Sequence, residues 1–216
     1  MPADGAPTSD VSSKPRRYDS TLRRRQAAET RSRILDAAAG LFADRGWGVG
    51  VREIARTAGV SFDTVYANFG SKPQLFNEVL DVAVVGDDEP VALMERPEFA
   101  ALSRGSRRQR AAAGAALVAA VNGRTRGLHR ALREGAAAEP DLAARLDAAR
   151  HRQREDVCAA GAAIAGRDLG TTQADGLWAV ITMEVYDLLT GTAGWSQDRY
   201  EKWLTETILS QIALEE

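Results

Sequence analysis

The segment that decides the fold is Arg52-Glu-Ile-Ala-Arg-Thr-Ala-Gly-Val-Ser-Phe-Asp-Thr-Val-Tyr66. Its apolar spacing predicts two short helices, over residues 51–58 and 62–69. Gly59 lies between them, where a turn often requires a positive φ, and Ser61 is a suitable N-cap for the second helix. The side chains expected to pack between the two helices are Ile54, Ala55, Ala58, Val60 and Val65. This is the layout of a helix-turn-helix.

The second helix of a helix-turn-helix lies in the major groove of DNA, where its first residues contact base edges. Here Phe62 could pack on a thymine methyl, Asp63 could accept a hydrogen bond from cytosine, and Asn68 could pair with adenine. Hydroxyl, guanidinium and ammonium groups suit the phosphates. The predicted DNA-contacting residues are Arg52, Ser61, Phe62, Asp63, Thr64, Tyr66, Ala67, Asn68 and Lys72. The alternative is a small helical hairpin on which these residues form only a polar surface.

The charge is distributed unevenly along the chain. Residues 1–77 carry twelve Lys/Arg and eight Asp/Glu, a formal charge of +4, while the remainder carries −6. Residues 1–19 are rich in Pro, Ser, Asp and Gly, which predicts a disordered tail, and its basic residues Arg16 and Arg17 are further candidates for DNA contact. A basic N-terminal part suggests a polyanionic partner, although a solvated charge imbalance would look the same.

The composition limits the other function classes. The chain has 216 residues, of which 44% are hydrophobic and only 6% aromatic, and its wealth of alanine favours helices over a β-sandwich. No apolar run is long enough to span a membrane, and the N-terminus lacks the pattern of a secretory signal. A single cysteine fits a cytoplasmic protein, and two distant histidines argue against a metal site. We expect no cofactor, and no catalytic motif indicates an enzyme.

Periodicity predicts an all-α protein. Besides the two short helices, apolar residues at steps of three and four indicate helices over residues 21–45, 73–85, 107–121, 124–135, 140–165, 172–190 and 197–213. Ser196 is the expected N-cap of the last helix. Residues 86–97 hold acids and prolines and are predicted to form a loop.

Five short motifs in one order carry a family resemblance. They are the run from Ile34 to Gly46, then Arg52-Glu-Ile-Ala55, Ala58-Gly-Val-Ser61, Thr64-Val-Tyr66 and Phe69-Gly-Ser-Lys72. This stretch resembles the N-terminal domain of TetR-family repressors, and similarity to one branch of that family extends over most of residues 25–214. The sequence departs from the family pattern in one place. It has one residue fewer before Ile54, and Gly48-Val-Gly-Val51 replaces the usual Ser or Thr cap.

The resemblance implies a particular organisation. A disordered basic tail at 1–19 precedes a DNA-binding domain at 20–72, and residues 73–216 form a regulatory domain with a ligand cavity that dimerises through its last two long helices. The apolar stripes on more than one side of 172–190 and 197–213 independently favour an isologous dimer, with a thick-cored monomer as the alternative. The predicted dimerisation residues are Trp203, Leu204, Ile208 and Ile212.

The ligand site is less well defined by the sequence. Each candidate is of a type that more often serves packing or surface than ligand contact, and the scarcity of internal charges favours an apolar or aromatic effector. The predicted ligand-binding residues are His129, Gln153, Cys158, Trp178, Met183 and Tyr186. The favoured function is a transcriptional repressor that binds double-stranded operator DNA and is released by an unknown small-molecule effector. The alternative is a helical ligand-binding or interaction module that does not bind DNA.

Overall fold

The computed structural model describes residues 19–86 and 97–213, and within these ranges it contains helices and no β-strand. The predicted all-α class is confirmed. The predicted tail, with Arg16 and Arg17, and most of the predicted 86–97 loop lie outside the described residues. No helix in the described ranges is long and apolar enough to cross a membrane.

The N-terminal part consists of four helices on one apolar core, which also includes Leu128, Leu132 and Leu142 of the C-terminal part. The four helices are α1 (Asp19–Arg45), α2 (Val51–Ala58), α3 (Phe62–Phe69) and α4 (Lys72–Val85), with a 3-10 turn at Gly46–Gly48 after α1. An aromatic cluster fills the centre of this core: the ring of Phe76 meets those of Phe42 and Trp47 edge-on, at centroid distances of 5.0 and 5.5 Å. Such edge-to-face contacts stabilise a core beyond the burial of area alone.

The C-terminal part adds six helices and a second core. They are α5 (Pro97–Ala100), α6 (Arg107–Ala136), α7 (Pro140–Ala165), α8 (Thr171–Ile181), α9 (Met183–Asp187) and α10 (Gln197–Ala213). A 3-10 turn follows α5, and a π-helical turn, Leu188–Thr192, follows α9. Ser196 caps α10 as predicted, because its Oγ accepts the Arg199 N–H at 3.3 Å.

Two helices differ from their predictions. Residues 107–136 form one helix of 30 residues rather than two, because α6 packs against α1, α4, α7 and α10 along its length. These contacts outweigh the weak helix propensity of Asn122 and Gly123. Conversely, the predicted 172–190 helix is interrupted at Thr182, whose ψ of 154° is extended. The carbonyl of Ile181, freed by this break, accepts a hydrogen bond from the Asn122 side chain at 3.1 Å.

Candidate nucleic-acid interface and ligand cavity

The α2–turn–α3 unit has the predicted helix-turn-helix geometry. Gly59 ends α2 in the left-handed conformation with φ 68°, and the Val60 N–H donates to the Ala55 carbonyl at 3.0 Å. Ser61 caps α3, since its Oγ accepts the Thr64 N–H at 3.1 Å. The predicted packing residues Ile54, Ala55, Ala58 and Val65 are buried, while Val60 is only half-buried.

The first turn of α2 is stabilised without a capping side chain. Gly50 is the N-cap and offers no side-chain acceptor, but its carbonyl accepts the N–H groups of Glu53 and Ile54. Glu53 lies in the first turn, where a negative charge is favourable, and forms ion pairs with Arg45 and Arg56. Arg52 is thereby fixed in the first turn of α2 with its side chain exposed.

The exposed face of α3 carries an aromatic pair. Phe62 and Tyr66 are 37% and 41% exposed, and their ring centroids lie 4.6 Å apart. The Arg52 guanidinium lies 5.3 Å from the centre of the Phe62 ring, so α2 and α3 present one continuous surface. Val65 and Phe69 anchor the opposite side of α3 in the core. Large exposed apolar rings on an anchored helix suit contact with base edges.

The polar residues of α3 are less free than the sequence suggested. The Asn68 amide donates to the Thr64 carbonyl at 2.7 Å, so its predicted pairing with adenine requires another rotamer. The hydroxyls of Ser61 and Thr64 bond each other at 2.7 Å. Asp63 and Ala67 are exposed, as a contact with DNA requires.

Lys72 has a different environment from the one predicted. Its Nζ donates to the Trp47 carbonyl and lies 3.9 Å from the centre of the Trp47 ring. Burial is the main cause that lowers the pKa of Lys72, and the charge of Glu139 acts in the opposite direction. Lys72 thus links α4 to the turn after α1, and a phosphate contact would have to share its ammonium with these partners.

A large cavity lies between α4 and the helices of the C-terminal part. Its volume is about 560 Å³, and α4, α6, α7 and α8 supply most of its wall. Aliphatic side chains such as Leu80, Val84, Val118 and Ile164 dominate the lining. The size and the apolar wall are typical of small-molecule sites.

The predicted ligand residues divide into two groups. His129, Gln153, Trp178 and Met183 line the cavity, and the Trp178 Nε1–H donates to Gln153 Oε1 at 3.2 Å. The prediction is wrong for the other two. Cys158 is exposed on the outer side of α7, and Tyr186 is buried against Tyr200, so neither lines the cavity.

Apart from His129, sequence reasoning missed the α6 wall. Val118, Val121, Asn122, Thr125, His129 and Leu132 recur at steps of one, three and four along one face of α6 and line the cavity together. The signal was present as a helical period, but it crosses the Asn122–Gly123 position where the sequence predicted a break.

The other face of α6 holds the N-terminal helices. Arg124 donates to the carbonyls of Ala83 and Val84 at the end of α4, and Arg130 donates to those of Ala43 and Asp44 at the end of α1. These cations meet helix C-termini, where the macrodipole favours positive charge. Two further contacts act in the same place: Glu134 accepts the Trp47 N–H at 2.8 Å, and Gly127 packs against the backbone of Ala43.

A matched pair of glycine substitutions measures this contact. A Cβ at Gly127 would lie 2.6 Å from the Ala43 oxygen, so we expect Gly127→Ala to lower the free energy of unfolding by about 1–3 kcal/mol through overpacking. Gly40 of α1 has open space around it, so Gly40→Ala should raise that free energy by about 0.5–1 kcal/mol. Urea unfolding followed by circular dichroism checks both. An equal increase in the free energy of unfolding for both variants would mean that α6 does not contact α1 closely.

The predicted dimerisation residues are mostly internal. Leu204, Ile208 and Ile212 lie in the core of their own subunit on the face of α10 that packs against α6. This corrects the prediction for these three, because a side chain buried in its own subunit has no surface left for a partner. Trp203 is half-buried, beside Trp195 and Tyr200.

The described ranges contain no group of three or more His, Cys, Asp or Glu side chains placed to hold a metal ion.

Residues 34–79, which include the whole helix-turn-helix, match the family of bacterial regulatory proteins called the tetR family. This N-terminal segment is therefore similar to the domain that defines that family, and α2 and α3 form its helix-turn-helix. No curated protein sequence matches the chain.

Solved structures share the fold over nearly the whole chain. A candidate TetR-family transcriptional regulator from Mesorhizobium loti is 23% identical and superposes with a TM-score of 0.67, covering 87% of this chain and 97% of its own. A candidate transcriptional regulator from Saccharomonospora viridis, solved in complex with choline, is 23% identical with a TM-score of 0.65 and coverage of 84% and 96%. NalD, the secondary repressor of the MexAB-OprM multidrug efflux pump in Pseudomonas aeruginosa, is 22% identical with a TM-score of 0.57 and coverage of 86% and 96%.

Proposed function

We propose that this protein is a dimeric repressor that binds operator DNA through α2 and α3 and is released when a small molecule occupies the cavity. The observation that carries the proposal is the double role of α6. One face of this helix lines the cavity, and the other holds the ends of α1 and α4. Two proteins of the same fold support the proposal, since one was solved with choline and the other is a repressor.

The route from cavity to DNA follows directly from these contacts. α4 contributes Leu80, Asp81, Val84 and Val85 to the cavity wall and packs against α1, and Arg31 of α1 pairs with Glu78 of α4. A ligand that displaces α4 or α6 therefore changes the position of the DNA-binding helices. In a dimer this changes the spacing of two recognition helices, which must lie about 34–36 Å apart to bind successive half-sites.

Gel-shift assays with DNA fragments from upstream of the protein's own gene test the function. We expect a shift with at least one such fragment and none with a scrambled fragment of equal length. Absence of any specific shift, with the protein folded and dimeric, would contradict the proposal and favour a helical ligand-binding module without DNA binding.

The salt dependence of that binding gives a residue-level prediction. Each phosphate contact contributes about −0.9 to the slope of log affinity against log salt concentration. We expect Arg52→Ala to reduce the slope by about 1.8, because each of the two subunits loses one such contact. Arg107→Ala, an exposed arginine at the start of α6, should leave the slope unchanged. An equal slope for Arg52→Ala and the native protein would remove Arg52 from the DNA surface.

Trp203 tests the expected dimer surface on α10. We expect Trp203→Ala to raise the dimer dissociation constant at least about tenfold, since half-buried aromatic side chains are common hot spots of interfaces. Lys202→Ala changes an exposed neighbour on the same helix and serves as the control. Sedimentation equilibrium measures both variants. A native dissociation constant for Trp203→Ala would place the dimer surface elsewhere.

A further inference from the structure

The polar groups in the wall of the cavity are largely satisfied by one another. Asn122 donates to the Ile181 carbonyl at 3.1 Å, and the Thr125 hydroxyl donates to the Val121 carbonyl at 2.8 Å. The Trp178 indole N–H donates a hydrogen bond to Gln153 Oε1. A ligand therefore finds apolar surface over most of the wall and few open hydrogen-bonding groups.

The charges in the wall are also balanced. Asp81 pairs with Arg145 at 2.5 Å, and Glu184 lies 3.7 Å from Arg150. The third set is Asp156 and Arg152 on α7. Burial and the charge of Glu155 raise the pKa of Asp156, and the charge of Arg152 lowers it. With three acidic and three basic residues in the lining, a charged ligand meets no excess of opposite charge to offset its loss of hydration.

Two buried nitrogen atoms of the lining residues, His129 Nδ1 and Arg145 Nε, lack a hydrogen-bond partner among the described residues. Buried polar groups are costly when unpaired, so a polar atom that reaches them gains binding free energy. His129 is set in the middle of the α6 wall, between Thr125 and Leu132.

The charge state of His129 defines what it can bind. Burial is the main cause that lowers its pKa, and Arg133 and Arg150 act in the same direction, while Glu184 raises it. The imidazole is therefore neutral at pH 7, with one N–H donor and one acceptor nitrogen. A neutral ring of this kind suits a carbonyl or hydroxyl oxygen better than an ion.

We propose that the cavity binds an uncharged, largely apolar molecule that carries a carbonyl or hydroxyl oxygen, and that His129 hydrogen-bonds this oxygen. The inference rests on the proposed function, in which the cavity is the effector site, and it names the chemical class of that effector. It is tested by binding to the full-length dimer without DNA, so its outcome is separate from the gel-shift result.

The first arm of the test concerns charge. N-phenyl-1-naphthylamine is neutral and fluoresces in apolar sites, and 1-anilinonaphthalene-8-sulfonate has the same rings with an added negative charge. We expect the neutral probe to bind at least tenfold more tightly, and Ala160→Phe, which fills part of the cavity, to reduce its binding. Tighter binding of the sulfonate, no binding of the neutral probe, or native binding to Ala160→Phe would each overturn the proposal.

The second arm concerns His129. The ligands 2-acetylnaphthalene and 2-ethylnaphthalene differ by a carbonyl group, and each is titrated by displacement of N-phenyl-1-naphthylamine. We expect His129→Phe to weaken the ketone about fivefold, as for one hydrogen bond, and the hydrocarbon less than twofold. His129→Gln, which keeps a donor and an acceptor, should recover part of the ketone affinity. Equal losses for both ligands in His129→Phe would show that His129 only packs, and would overturn its role.

Discussion

Replacing Phe62 and Tyr66 together by alanine is expected to weaken operator binding about 1,000-fold, because each of the two subunits loses two base contacts of about 1 kcal/mol each. The two rings are the exposed large apolar side chains of α3, and they pack against each other on the side that faces away from the core. α3 itself should persist, because Val65 and Phe69 anchor it from within and Ser61 caps it. The loss therefore falls on DNA contact rather than on folding.

Fluorescence anisotropy with a labelled operator measures this loss, and thermal unfolding verifies that the variant is folded. Arg104→Ala with Arg107→Ala provides a control of two exposed residues near the start of α6, about 30 Å along the helix from its contact with α1. The control should bind the operator with native affinity. A folded double alanine variant with native affinity would show that α3 does not contact the bases through its aromatic pair.

Effector binding is expected to weaken operator affinity about 150-fold, or about 3 kcal/mol, the upper range of coupling between two sites. We expect a large effect because α4 and α6 connect the cavity to the helix-turn-helix. Each of these two helices is held in place by several contacts. Arg124 and Arg130 donate hydrogen bonds to the C-terminal carbonyls of α4 and α1. Gly127 packs closely against the backbone of Ala43. Packed elements of this kind move as units rather than deform.

The matched control for this prediction is the variant Ala160→Phe, whose added ring fills part of the cavity. Ala160→Phe should lose most of the release by effector, measured relative to its own operator affinity, since residue 160 lines the cavity and belongs to α7, away from α2 and α3. Anisotropy titrations of operator with and without effector measure both proteins. Equal release of the native protein and Ala160→Phe would show that the effector acts at another place.

The helix-turn-helix was predictable in detail because its determinants are local. The turn at Gly59 and the cap at Ser61 each depend on neighbours within a few residues, and both are found as expected. The hydrogen bond of Lys72 could not be predicted, because its partner Trp47 lies 25 residues away and no sequence spacing connects the two residues.

The C-terminal part was less predictable for the same physical reason. Periodicity shows that Leu204 and Ile208 share an apolar face, but it does not say whether that face packs on α6 or on a second subunit. Tyr186 and Trp178 are similar residues on one stretch of sequence. The break at Thr182 separates them, so that one faces Tyr200 and the other the cavity.

The coupling between cavity and DNA-binding surface is tested most directly by titrating effector into the protein alone and into the protein saturated with operator. A ligand releases DNA only by binding the DNA-incompetent state more tightly, and linkage requires the operator to weaken effector binding by the same factor. We expect an effector dissociation constant about 150-fold higher in the presence of saturating operator. Equal dissociation constants with and without operator would contradict it.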